Sequence, residues 1–510
     1  MTNPLLELQR LGQSPWHDNI RRRLLTSGTL KRMVEDGDIT GLTSNPTIFD
    51  QAIAGGHEYD AQLRTLARQG KTPDEIFDAL AITDIRNAAD VFAPVYARTG
   101  GGDGFVSIEV APRWANDTAR TIAEAHRLWK EVAKPNVMVK IPATAEGIPA
   151  IEECIADGLN INITLIFALD RYDQVMDAYL AGLARRRAAG KPIDRIASVA
   201  SFFVSRVDTE VDKRLDALLA TAGPDQAEQL KQLKGRAAIA NAQLAYVRFR
   251  KTFAEPRYRE LANARARLQR PLWASTSTKN PAYPDIYYVE ALIAPDTVDT
   301  MPPATITAYK DHGHPEVRID RDLDQATALM QRLADVGIHM DDVTKKLEID
   351  GVASFTKSYD DLIATVAREA PQNGGRAVAA RDGARARNSA GTATAGSRAP
   401  TARAKSGAGR TAKAKTTKRS AKRKKSAGTR PLGRAAKRKT AARARKSAVK
   451  KRATKGAARA RAKATARRAT TRRAAARGSS AGGTRARARK RAVTRAPRAR
   501  RRTPRRRGTH

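Results

Sequence analysis

The chain has 510 residues and a formal net charge of +43, but the charge is lopsided: from residue 371 onward about 49 Lys and Arg face one acid, Asp382, while the part before it is slightly acidic, near −5. A single cysteine, Cys154, excludes a disulfide framework within the chain and fits a reducing cytosol. No apolar run approaches the roughly 20 residues that span a bilayer, and the opening MTNPLLELQRLGQSPW lacks the basic-then-apolar order of a signal peptide.

In chain order, β-like runs alternate with longer amphipathic segments over residues 1–370. Strands are predicted at 16–20, 39–44, 105–110, 137–141, 161–167, 196–204, 271–276 and 298–301. A helix at 74–96 follows the second strand; Thr72, Pro73 and Glu75 read as a capping box with proline in the first turn. A helix at 169–189 stops before Gly190, and one at 323–334 stops before Gly337. About 65 residues lie between the sixth and seventh strands, including a helical pattern at 227–253 with Leu230, Leu233, Ala237 and Leu244 on one face. These read as extra helices outside the barrel, over its mouth or at an interface. A last helix at 341–368 packs back on the body. Eight strands interleaved with helices predict a closed (β/α)8 barrel, with an open doubly wound sheet as the alternative. No Gly-rich dinucleotide fingerprint supports that alternative.

Residues 371–510 have no aromatic residue and few branched apolar ones. Such a segment cannot offset its chain entropy by burial, so it reads as a disordered basic tail and a separate region.

Barrel strands alternate between lumen and helical shell. At one parity these strands carry polar groups near their C-terminal ends, where barrels of this kind place active sites. Asp18 follows Trp16 on one face; Thr43 pairs with Asn45, Ser107 with Glu109, Met138 with Lys140, Asn162 with Thr164, and Ser201 with Phe203. Lys140, in VMVKIPAT, has Val, Met and Ile about it. A buried amine is costly when charged, so its proton affinity is expected to fall, freeing the lone pair for Schiff-base chemistry. The competing reading is a strand-end lysine reaching solvent. Asn45 before Pro46 equally suits a turn, Asp18 a helix cap, and Thr164 and Ser201 ordinary strand positions. His17 reads as exposed or packed. Glu109, an inward carboxylate, needs a partner.

In this order and spacing, GLTSNPTIF, VSIEV, VMVKIPAT, INITLIF and SFFVSRVD resemble the transaldolases. SFFVSRVDTEVDKRLD and WASTSTKNPAY are similar to the longer bacterial branch. The resemblance covers most of residues 1–370 and implies a pentose phosphate pathway enzyme with no metal or organic cofactor. It would move a dihydroxyacetone unit from sedoheptulose 7-phosphate or fructose 6-phosphate to glyceraldehyde 3-phosphate or erythrose 4-phosphate. It implies that Lys140 attacks the C2 carbonyl, that Glu109 and Thr164 hold a proton-shuttling water, and that Asp18 takes the C4 hydroxyl proton. Asn45, Asn162 and Ser201 would bind the dihydroxyacetone hydroxyls, and Arg206 the phosphate. Glu109 with Phe203 is the transaldolase pattern; the related fructose 6-phosphate aldolases carry Gln and Tyr there. The compact branch has an arginine after its seventh strand, where this chain has WASTSTKNP. Ser275, Ser277 and Lys279 are therefore second-tier candidates, Lys279 being equally a solvated loop lysine.

The tail from Gly374 onward resembles the basic tails of linker histones and some nucleoid proteins. Three readings stay open: nucleic-acid binding, binding of another polyanion, and read-through or a frame error in a GC-rich gene. Non-specific nucleic-acid binding is favoured, because many cations on one chain displace counterions with little sequence selectivity. The cytoplasm, with nucleoid association, is the expected compartment.

Overall fold

The computed structural model describes residues 3–370. The expectations for 371–510 lie outside the described residues.

Runs apolar on both faces suit parallel strands, which are covered by helices outside and by packed side chains inside. Eight form: β1 (Gln13–Asp18), β2 (Gly41–Thr43), β3 (Val106–Glu109), β4 (Val137–Pro142), β5 (Ile161–Ile166), β6 (Ser198–Phe203), β7 (Gln269–Ala274) and β8 (Thr297–Met301). Each pairs in parallel with the next, and β1 closes on β8 from Gln13↔Thr297 to His17↔Met301. The fold is a closed (β/α)8 barrel, and that closing pair excludes the open sheet.

The first strand starts earlier than predicted, at Gln13, and stops at Asp18. The segment Gln13–Ser14–Pro15 has no β-branched residue to announce a strand. Its pairing comes from tertiary partners: β8 on one side, and Thr40, whose N–H donates to the Pro15 carbonyl at 2.8 Å, on the other. Below Asp18, the in-phase residues Ser14 and Trp16 help plug the N-terminal end. Trp16 Nε1 donates to Asp103 at 2.9 Å, and Arg270 donates to Ser14 Oγ at 2.7 Å.

The long helix that leads into β3 carries the expected capping box: Thr72 Oγ1 accepts from Glu75 N at 3.3 Å, and Glu75 accepts from Thr72 N at 2.9 Å. It runs Pro73–Arg98 and buries Asp84, whose partners lie in the β1 loop and beyond it. Arg22 Nε donates to Asp84 at 2.8 Å; Tyr59 Oη donates to the other carboxylate oxygen at 2.8 Å and accepts from Arg22 N at 3.1 Å. The guanidinium also lies 4.4 Å from the Tyr59 ring centre. Removing one partner leaves a buried charge without compensation. Asp84→Ala should therefore destabilise the barrel by roughly 3–5 kcal/mol, read as a lower urea midpoint. A loss under about 1 kcal/mol would reduce this network to an exposed pair's worth.

The pattern at 227–253 is two helices, Pro224–Lys231 and Ala237–Thr252, not one. Gly235 separates them at φ +68°, where a Cβ would strike the Tyr283 ring at 2.6 Å. Ala237–Thr252 packs on the Leu169–Ala188 and Leu323–Asp335 helices, outside the barrel. This corrects the mouth-covering option, because no residue of 224–263 lines the cavity. The last helix, Met340–Glu369, covers the mouth instead. It packs against Pro46–Ala54 and approaches β5, where Gly351 leaves room for the Leu165 side chain.

Candidate active site

At the C-terminal end of the strands lies a cavity of about 350 Å³. Lys140 is at its floor, 6% exposed. Strand register sets Glu109 beside it, because Glu109↔Lys140 is a β3–β4 pair. Lys140 Nζ lies 2.6 Å from Glu109 Oε1 and donates to the Ser44 carbonyl at 3.1 Å. The lysine is buried as expected, but its head meets a carboxylate and a carbonyl rather than apolar surface alone. Burial pushes the Glu109 carboxyl up, against the opposing pull of Lys140. The two groups stand within proton-transfer distance.

Thr164 stands across from Pro142 on β5, where a register irregularity follows and Leu165 takes φ +61°. Such bulges re-aim side chains beside active sites. Thr164 Oγ1 and Glu109 Oε2 have no hydrogen-bond partner among the described residues. With Lys140 they border a side cavity of about 20 Å³, room for one water.

Asp18 accepts from Thr43 Oγ1 at 2.8 Å, and Thr43 Oγ1 lies 2.6 Å from Thr300 Oγ1. Burial raises the Asp18 carboxyl; Lys140 and then Thr43 oppose the shift. A carboxylate held this way is a stronger base than an exposed one. His17, next along β1, faces the shell. It is 2% exposed, and burial holds it near pKa 4, so it is packed and neutral.

Asn45 is both cap and wall. Its Oδ1 accepts from Ile48 N at 3.0 Å, at the start of Pro46–Ala54, and the residue lines the cavity. Asn162 is fully buried and does not line the main cavity. It donates to Ser107 Oγ at 3.0 Å and accepts from Ser201 Oγ at 2.7 Å. Ser201 does reach the wall, so Asn162 holds it from behind. Phe203 lines the cavity, its ring tilted 45° to that of Phe167 with centres 5.3 Å apart; the Arg206 guanidinium lies 5.4 Å from its ring centre. Ser275, Ser277 and Lys279 line the same wall as Arg206. Ser275 has φ +61° and its Oγ sits 3.0 Å from Ser205 Oγ, while Thr276 Oγ1 ties the loop to buried Asp299 at 2.8 Å.

A lysine ion-paired to a lumen carboxylate, with a second carboxylate and further cations about one cavity, can be set beside known proteins. The family model described as Transaldolase/Fructose-6-phosphate aldolase matches residues 15–366. The chain belongs to this family. Among curated relatives, the transaldolase of Parafrankia sp. (strain EAN1pec) is 48% identical over 367 residues, 72% of this chain and 98% of the relative. The transaldolase of Thermobifida fusca (strain YX) is 49% identical over 370 residues, covering 72% and 99%. That of Acidothermus cellulolyticus is 50% identical over 371 residues, covering 72% and 97%.

Several wall residues of this family member escaped the sequence reading. Thr300 is in phase with Val298 at the end of the eighth strand, a signal that was present in VDTM. Ser354, Phe355 and Ser358 come from the last helix, and Thr47 Oγ1 bonds Ser358 Oγ at 2.9 Å. A helical pattern shows which face is buried, not which element it covers. Arg21 also lines the cavity.

Proposed function

We propose that the protein is a transaldolase working through a Schiff base on Lys140. The Lys140–Glu109 contact at 2.6 Å on the floor of the cavity carries this reading. The proton of Lys140 passes toward Glu109, and the free amine attacks the ketose C2 carbonyl. Loss of water from the carbinolamine gives the iminium; a water held by Glu109 and Thr164 carries the protons. Asp18 then takes the C4 hydroxyl proton. The C3–C4 bond breaks, its electron pair moves to the iminium to form an enamine, and the aldose phosphate leaves. The enamine carbon attacks the acceptor aldehyde, Asp18 returns its proton to the new hydroxyl, and hydrolysis of the re-formed iminium releases the product ketose and Lys140.

Ser201, backed by Asn162, and the amide of Asn45 bind the dihydroxyacetone hydroxyls, while Arg206 and Lys279 bind phosphate. Desolvation, and for Lys279 also the Arg206 charge, holds both cations below their ordinary pKa values, a cost that an anion relieves. Phe203 offers no hydroxyl to deliver a proton to the enamine, which favours waiting for an aldehyde over release. The resemblance names no cofactor, and the steps above require none.

The test is borohydride reduction in the presence of fructose 6-phosphate, with peptide mapping. A stable adduct on Lys140 is expected; absence of any adduct would favour an inert barrel serving a nucleoid-binding tail. Release of free dihydroxyacetone without acceptor would instead make the protein an aldolase.

The same proposal assigns 374–510 to non-specific nucleic-acid binding and places the enzyme in the cytoplasm beside the nucleoid. No helix among the described residues is long and apolar enough to cross a membrane. Deleting 374–510 should abolish the gel shift of duplex DNA and leave sugar exchange intact. Retention of the full chain on phosphocellulose without a duplex shift at physiological salt would point to another polyanion.

A further inference from the structure

Among the described residues, four cations line the cavity: Arg21, Lys140, Arg206 and Lys279. Only Lys140 has a carboxylate within ion-pairing distance among the described residues. Asp18 is the one carboxylate among the residues that line the main cavity, and it is held by Thr43. The two guanidinium groups and the outer ammonium thus border one concave space with no carboxylate at ion-pairing distance among the described residues; Asp18 acts on Lys279 only from further off.

Their order around the barrel is continuous. Arg206 follows β6, Lys279 follows β7, and Arg21 follows β1, which neighbours β8. Between Lys279 and Arg21 the end of β8 contributes Thr300, Pro302 and Pro303, none of which carries a charge. The last helix contributes its serines and Phe355 together with Thr47 and Gln51, residues of the β2 side. The cations therefore form one arc across β6, β7, β8 and β1.

Arg21 is aimed by its neighbour. It is the N-cap of the Arg22–Thr26 helix, extended at φ −146° and ψ 139°, and its side chain makes no cap bond. Arg22 is pinned inward by Asp84 and Tyr59. That anchor fixes the backbone of the turn, and successive side chains in extended backbone point opposite ways. Arg21 is left on the cavity side. Arg23, two residues further, does not line the cavity.

We propose that Arg21 is a third phosphate-binding cation, acting with Arg206 and Lys279 on the phosphate of the sugar substrate. A guanidinium fork supplies two parallel donors that an ammonium cannot, so Arg21 adds what Lys279 lacks. This rests on the sugar-phosphate reading of the site but names a residue outside the reacting centre. Because the phosphate keeps its charge through the reaction, Arg21 binds ground state and transition state alike, and its loss raises KM rather than lowering kcat.

The experiment uses the full chain and two readouts: kinetics with fructose 6-phosphate, and calorimetric titration with inorganic phosphate. Arg21→Ala should raise KM by ~10-fold with kcat within about twofold, and should weaken phosphate binding by a similar factor. Arg21→Lys should recover part of both, and Arg23→Ala should show neither loss. Phosphate binding unchanged in Arg21→Ala but lost in Arg206→Ala would overturn the assignment. So would equal effects of Arg21→Ala and Arg23→Ala, which would mean long-range charge alone, or a wild-type protein that does not bind phosphate. A wild-type chain that binds phosphate through Arg21 yet turns over no sugar would sink the transaldolase reading and leave this site standing.

Discussion

Lys140→Met will abolish exchange between sugar phosphates, lowering kcat by roughly 10⁵-fold, and Lys140→Arg will do the same. Methionine matches the length of the lysine stem and suits its apolar neighbours, so the barrel should remain folded. It has no amine to form the covalent intermediate. Arginine keeps a cation opposite Glu109 but does not deprotonate, so it cannot attack a ketone. The pair of variants separates charge from nucleophilicity: if the Lys140→Arg variant kept near wild-type activity, Lys140 would be a structural counter-ion to Glu109. Activity is measured by coupled assay with fructose 6-phosphate and erythrose 4-phosphate, and folding by circular dichroism. Residual exchange above about 1% in Lys140→Met would end the Schiff-base mechanism for this chain.

Asp18→Asn should lower kcat by about 10²–10⁴-fold while leaving the borohydride adduct on Lys140 intact. The amide keeps the shape and can still accept from Thr43 Oγ1, so the geometry of the wall is preserved. What is lost, on the proposed mechanism, is the base that takes the C4 proton. Because burial raises the Asp18 carboxyl above its ordinary value, its basic form is depleted as pH falls through that raised value. The acid limb of the rate profile should accordingly lie above the ordinary aspartate range and move in Asp18→Asn. An unchanged limb with wild-type kcat would return Asp18 to a capping role.

The barrel was legible because parallel strands leave a plain mark, short runs of Val, Ile and Phe between capped helices. The candidate site was legible through parity: Asp18, Glu109, Lys140 and Thr164 break that apolar pattern in phase, and each lies toward the C-terminal end of its strand. What could not be read was height. Only the Glu109↔Lys140 register makes an ion pair of two inward residues on separate strands. Nor could depth be read: Asn162 and Ser201 share the inward parity, yet Asn162 stands behind Ser201 and off the main cavity wall. Asn45 was equally a turn residue and a ligand, and in the structure it caps a helix while lining the cavity. Arg21 sat in a run of three arginines whose individual directions depend on Asp84, a residue far along the chain.

The proposed reacting centre is assembled from strands β1 to β6, while its roof comes from residues after all eight. On the ribosome, the amine and its carboxylate partners therefore emerge well before Ser354, Phe355 and Ser358 can close over them. At roughly 5–20 residues per second, the stretch beyond residue 370 then occupies the ribosome for on the order of ten seconds more. The chamber has that interval to shut while translation of the basic extension continues, so a competent enzyme can exist before the nascent chain is released.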